Sequence, residues 1–222
     1  MAGKAKLPDP KTVKTIVNKH NPPKFNATDK GLIAGAAFAG WTLIDLSLIK
    51  VSDLVEESGQ LVVVGVLPAE YNANGKTKVF VIGRKTFLRK ILQAVIDHRL
   101  NEKHGVIDRG LFGGLNPESR FFLQESGEPF GVTYRDREDK SALVEPYDMR
   151  RQWQKYYLGE GVTWQTLNDS FIMNYWNAKA PEKPARAVKD LIDLTGQDPA
   201  TIKKKTAREE SSIQETLENL FK

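Results

Sequence analysis

The chain has 222 residues, 40% hydrophobic and 27% charged, the composition of a globular protein large enough for one sizeable domain or two small ones. It contains no cysteine, which excludes disulfide scaffolds, thiolate metal sites and cysteine nucleophiles. The net charge of +5 is carried by residues 1–30, where seven lysines (Lys4, Lys6, Lys11, Lys14, Lys19, Lys24 and Lys30) stand against Asp9 and Asp29, so the remainder balances to zero.

A basic arm over residues 1–24 is the electrostatic footprint of a phosphate-rich partner, because each phosphate neutralised releases condensed counterions. A solvated, partly flexible terminus carries the same charge pattern without that function. The opening MAGKAKLPDPKTVK has no apolar core, and no later apolar run approaches the roughly 18 residues that span a bilayer. The expected location is therefore cytoplasmic and nucleoid-associated, without a membrane partner.

After the arm, ATDKGLIAGAAFAG predicts a buried helix begun by Thr28 or Asp29. Gly40 breaks it, and WTLIDLSLIKVSDL predicts a second helix, with Leu43, Leu46, Ile49 and Leu54 near helical spacing. QLVVVGVL and VFVI, separated by a loop that contains the Asn74-Gly75 turn signal, predict an antiparallel hairpin. RKTFLRKILQAVIDHRL predicts an amphipathic helix whose solvent face carries Arg84, Lys85, Arg89 and Lys90. A glycine-rich loop and a short strand RFFL follow, then helices over about 146–158, 164–176 and 184–194. The tail from 207 to 222 places Ile213, Leu217, Leu220 and Phe221 on one helical face, with Ser212 and Glu215 spaced as a capping box. That face needs a cover, from its own domain or from a neighbouring subunit.

Few local signals point to chemistry. His20, His98 and His104 are scattered and form no metal-ligand or triad pattern, so neither metal nor cofactor is expected. Gly75-Lys76-Thr77 has the end of a phosphate-binding loop, but Glu70 stands where that motif needs glycine and a hairpin stands where it needs a helix.

The order helix, helix, hairpin, helix, short strand and several helices resembles the catalytic domain of tyrosine recombinases, the phage-integrase family, over about residues 25–210, with the recombinase-like domain expected over 25–206. The sharpest part is AGWTLIDLSLIKVSDL. There Gly40, Asp45, Leu46, Ile49, Asp53 and Leu54 fall in register with the family's T-G-L-R-x-x-E-L-x-x-L-x-x-x-D-I. The resemblance implies a mixed α+β, mainly helical fold with a small antiparallel hairpin. It also implies where a catalytic set would lie: two arginines on the scissile phosphate, a hairpin lysine, histidines and a tyrosine nucleophile, a constellation that stabilises the charge gained by a phosphorane. On this sequence the first arginine falls on Thr42, the histidine on Gln165, the second arginine on Asn168, the next histidine on Gln197 and the nucleophile near Lys205. The last tyrosine is Tyr175. The hairpin lysine survives as Lys76 or Lys78.

The expectation is a catalytically inactive recombinase-like protein that binds double-stranded DNA, with an accessory or regulatory part in integration or excision of a mobile element. Its contacts would come from Lys4, Lys6, Lys11, Lys14, Lys19, Lys76, Lys78, Arg84, Lys85, Arg89, Lys203, Lys204 and Lys205. The alternative is a protein-binding subunit that joins active recombinases, or itself, through the face bearing Ile213, Leu217, Leu220 and Phe221.

Overall fold

The computed structural model describes residues 7–19, 25–71, 75–107, 110–136, 142–156, 158–159 and 161–207, the side chains of 134–136 and 142–144 excepted. The calls on Lys4, Lys6, Lys24, His20, Ile213, Leu217, Leu220 and Phe221 lie outside the described residues. Among the described residues no helix is long and apolar enough to cross a membrane.

The centre of the fold is α2 (Ala27–Ala39), opened by a capping box in which Asn26 and Asp29 exchange side-chain and backbone bonds. It is buried almost all round. Gly31 is the reason its neighbours come so close: a Cβ there would lie 2.7 Å from Val95 and 2.8 Å from the Phe122 ring. α5 (Phe87–Asn101) and α7 (Trp164–Lys179) both pack against α2. α2 stops at Gly40, which is left-handed with φ 67°. A side chain there would meet the Phe171 ring at 2.5 Å, so glycine is needed both for the reversal and for the approach of α7.

The stretch expected as one helix over 41–54 is two short ones, α3 (Leu43–Leu48) and α4 (Val51–Leu54). The break falls at Ile49 and Lys50. There the Lys50 N–H donates to the Asp53 carboxylate and the Val51 N–H to the Ser119 carbonyl, so the backbone finds partners outside the helical ladder. The hairpin is present but shorter than its apolar run, with β1 (Val64–Leu67) antiparallel to β2 (Lys78–Val81) and Gly65 opposite Phe80, whose ring covers the missing side chain.

Three further expectations change. Arg84 and Lys85 precede α5, which starts after its Thr86 N-cap. RFFL is not a strand; Arg120 and Leu123 make only isolated bridges, to Lys50 and Pro129, because Phe121 and Phe122 are both buried in the core. A second hairpin, β3 (Thr133–Asp136) with β4 (Ala142–Glu145), was not expected. The helices near the carboxy-terminal end are α6 (Tyr147–Gln154), α7, α8 (Pro184–Thr195) and a helical stretch over 199–207. Ile172, Leu191 and Ile202 from the last three make a second, smaller core.

The basic arm is also more than a terminus. Asp9 caps α1 (Pro10–Asn18), accepting the Thr12 N–H at 2.7 Å, and Val13 and Val17 are fully buried as the helix packs on α2. Lys11, Lys14 and Lys19 are left on its exposed side.

Arg99 holds the glycine-rich segment in place. Its guanidinium, at 1% exposure, donates to the carbonyls of Arg120 (2.7 Å), Phe121 (3.1 Å) and His104 (3.3 Å) and to Ser119 Oγ (2.8 Å). Burial pushes its pKa down to about 10. Replacing it with methionine keeps the bulk and strands the carbonyls. Arg99→Met should cost about 3 kcal/mol and lower the thermal midpoint by roughly 6–12 °C, measured by calorimetry.

Candidate functional site

The elements meet where α2 ends, α3 begins, the hairpin turns inward and α7 crosses. Thr42, at the first arginine's position, is the N-cap of α3: its Oγ1 accepts the Asp45 N–H at 3.3 Å and donates to Asp45 Oδ2 at 2.9 Å. Asp45 also accepts the Thr42 N–H at 2.7 Å. The threonine hydroxyl is thus spent on local capping.

Asp45 has a second partner. Lys78 Nζ donates to its Oδ2 at 2.6 Å and its Oδ1 at 2.9 Å, with both side chains buried. The strand period of two decides this direction: Val79 and Val81 face solvent, whereas Lys78 and Phe80 face the core. Lys78 is therefore a core residue, not the surface cation expected from the hairpin. Lys76 is exposed, two residues before the returning strand begins.

Asn168, at the second arginine's position, is buried on α7 and donates to the Gly40 carbonyl at 2.8 Å. Gln197 Nε2 donates to Asn168 Oδ1 at 3.4 Å, while Gln197 Oε1 is buried with no hydrogen-bond partner among the described residues. At the next residue of α7, Asp169 Oδ1 receives Gln165 Nε2 at 3.1 Å and Lys205 Nζ at 2.7 Å. Lys205 is thereby tied to α7 by an ion pair.

The fold thus brings Thr42, Asn168 and Gln197 around the turn at Gly40, with Gln165 of α7 and Lys205 of the 199–207 stretch beside them, both bound to Asp169. One of the three local networks, that of Asn168 and Gln197, holds no cation, and the lysines of the other two each face a carboxylate. Tyr175 also lies on α7, with its hydroxyl donated to Asp190 Oδ2 at 2.8 Å; burial, then that bond, pushes its pKa up to about 12.

The remaining expected contacts divide. Arg89 is partly buried and donates to the carbonyls of Leu61 (2.8 Å) and Val62 (3.3 Å), so it fixes the start of the hairpin to α5 and is withdrawn from the surface set. Lys11, Lys19, Arg84, Lys203 and Lys204 are exposed. Lys14 and Lys85 line a groove of about 410 Å³ between α1, the end of β2 and α5.

Two buried groups escaped the sequence reading. Asp29, beyond its capping role, accepts Gln152 Nε2 at 2.9 Å and the Tyr156 hydroxyl, and so ties α6 to α2. Its signal in the sequence is only that of an N-terminal helix acid. Arg99 carried no signal, since arginine in an amphipathic helix reads as a solvent residue.

No protein-family model matches the sequence, and no curated protein does. Among solved structures the chain is similar to XerA recombinase, with a TM-score of 0.61 and 14% identity over 96% of this chain and 64% of that one. It is also similar to the Tn1549 transposon integrase in complex with transposon right end DNA, at a TM-score of 0.47 and 15% identity over 94% of this chain and 66% of that one. The chain spans less than two thirds of the length of XerA recombinase. The fold is that of a tyrosine-recombinase catalytic domain, mainly helical with a small antiparallel hairpin.

The Asp45–Lys78 pair makes a direct test of the site's internal economy. Lys78→Met leaves a carboxylate buried without its cation and should cost about 3–5 kcal/mol. Adding Asp45→Asn removes the charge and should recover much of that loss, seen as a urea midpoint that falls and then rises at constant m.

Proposed function

We propose that this chain is a catalytically inactive recombinase-like protein that binds duplex DNA and acts as an accessory or regulatory factor in the integration or excision of a mobile element. The observation that carries the reading is what occupies the turn at Gly40. Thr42, Asn168 and Gln197 stand where the resemblance implies cations or a proton donor; Thr42 bonds to Asp45, Asn168 to the Gly40 carbonyl and Gln197 to Asn168. Removing one fixed donor of transition-state charge costs roughly 3–4 kcal/mol of barrier, and here several are replaced together with the nucleophile. The chain keeps the scaffold without the means to stabilise a phosphorane.

DNA binding draws its support from charge. The net +5 sits in residues 1–30, and α1 carries Lys11 and Lys19 on its exposed side. Lys203 and Lys204 are exposed next to Lys205, on the flank of the candidate site. Lysines of this kind position a protein on the phosphate backbone and read little sequence. The test is the affinity for a random duplex measured at several salt concentrations. Each phosphate contact contributes about 0.9 to the slope of log affinity against log salt, so Lys203→Gln with Lys204→Gln should flatten it by about 1.8. Affinity without salt dependence, or none at low salt, would contradict the reading. The protein-binding alternative predicts that second result.

A further inference from the structure

The start of α2, the end of α6 and the turn after Leu123 enclose a cavity of about 650 Å³. Part of its lining is apolar: Phe25, Leu123 and Phe130 are buried, and the Tyr156 ring stands edge-on to Phe25 with centroids 5.3 Å apart. Among these side chains lies the Asp29 carboxylate, at 8% exposure. The exposed residues Glu125, Ser126 and Lys155 form the rim.

Asp29 differs from the other carboxylates of the interior in what it faces. Asp45 is paired with Lys78 and the half-buried Asp169 with Lys205. The partners of Asp29 are all neutral: the Asn26 N–H at 3.0 Å, the Gln152 amide at 2.9 Å and the Tyr156 hydroxyl. Among the described residues no cation forms an ion pair with it. Lys155 is the lysine of the cavity, and Gln152 holds it off, giving Nε2 to Asp29 and receiving Lys155 Nζ on Oε1 at 3.4 Å. Burial, then the Asp29 charge, pushes the Tyr156 pKa well up, so its hydroxyl stays a neutral donor. The helix end contributes about half a positive charge against the full negative charge of Asp29, and Glu125 and Lys155 cancel at the rim. The interior of the cavity is therefore negative, and a cation entering it meets a buried charge that has no counter-ion.

We propose that this cavity binds a small organic cation, a primary amine or guanidine carried on an aromatic or alkyl body, with Asp29 as its counter-ion and Phe25, Phe130 and Tyr156 as its walls. Aromatic rings beside a carboxylate select this chemistry. The rings take the apolar body and attract the charge through their faces, and the carboxylate fixes the head group. Size selects a free molecule over a single side chain of a partner. Pockets that hold a whole small ligand run from about 300 to 1,000 Å³, and one lysine or arginine would leave most of this one unfilled. The site is separate from the DNA reading, because Asp29 is in the first turn of α2 and Gly40 lies beyond the far end of its 13 residues, about 20 Å along the axis. Neither depends on the other.

The test is calorimetric titration of the full chain, without DNA, with three probes that share a phenyl body: 2-phenylethylamine, 2-phenylethanol and 3-phenylpropionate. The amine is expected to saturate one site and to bind roughly tenfold or more tighter than the alcohol or the acid, the worth of one charge-assisted bond. Asp29→Asn should abolish that preference. Because Asp29 also caps α2, Ser126→Trp carries the test if that variant fails to fold: on an exposed turn, it should fill the mouth of the cavity and abolish amine binding with the thermal midpoint unchanged. An acetylated and amidated Gly-Lys-Gly tripeptide presents the same ammonium on a peptide. Tighter binding of the tripeptide than of the amine would give the cavity to a protein's lysine and overturn the proposal. So would no saturation by the amine at millimolar concentration, equal affinity for the three probes, a folded Asp29→Asn that keeps the preference, or an affinity untouched by Ser126→Trp.

Discussion

The Asp45 carboxylate holds together the part of the molecule on which any function must rest. Buried completely, it receives the Thr42 amide and hydroxyl and, through both oxygens, the Lys78 ammonium. One residue thereby starts α3, fixes the turn after Gly40 and fastens the hairpin to the helical body. A buried charge of this kind is tolerated because both carboxylate oxygens have donors, one of them the paired ammonium. The outward valine face depends on it indirectly: with Lys78 anchored inside, the register puts Val79 and Val81 outside.

The same bond bears on chemistry. A lysine able to give a proton to a leaving oxygen has to be reachable by that oxygen, and Lys78 is enclosed between Asp45 and the core. Asn168 is likewise committed to the Gly40 carbonyl, and Lys205 to Asp169. In each case a residue at a position the resemblance marks as catalytic has a structural partner. The proposed loss of strand-transfer chemistry draws its support from these three commitments.

Much of this was legible in the sequence, and the failures have physical reasons. Helices α2, α5, α7 and α8 are legible in their apolar residues, although α2 is capped by Asn26 and not by Thr28 or Asp29, which lie inside its first turn. The β1–β2 hairpin follows from two β-branched runs around a turn. The one-helix reading of 41–54 failed because periodicity cannot reveal that Lys50 and Val51 would find bonding partners at Asp53 and Ser119. The β3–β4 hairpin has no signal in the sequence because the charged run RDREDK, which includes the end of β3, reads as loop. The arm was read as a terminus from its lysines, although Asp9, Val13 and Val17 spell a capped helix with a buried face. Thr42, Asn168 and Gln197 were placed by resemblance alone, and the fold does bring them together. The inward turn of Lys78, the buried Arg99 and the Asp29–Tyr156 contact depend on residues distant in sequence, which no local pattern reports.

The central claim is that this chain carries a recombinase fold without the chemistry of strand transfer. The most direct measurement is incubation of the purified full chain with a nicked suicide duplex, followed by denaturing electrophoresis under conditions that would trap a covalent protein–DNA link. The account predicts no denaturant-resistant adduct at any salt concentration at which the duplex is bound. A phosphotyrosine-linked band, mapped by mass spectrometry to any tyrosine of the chain, would contradict it.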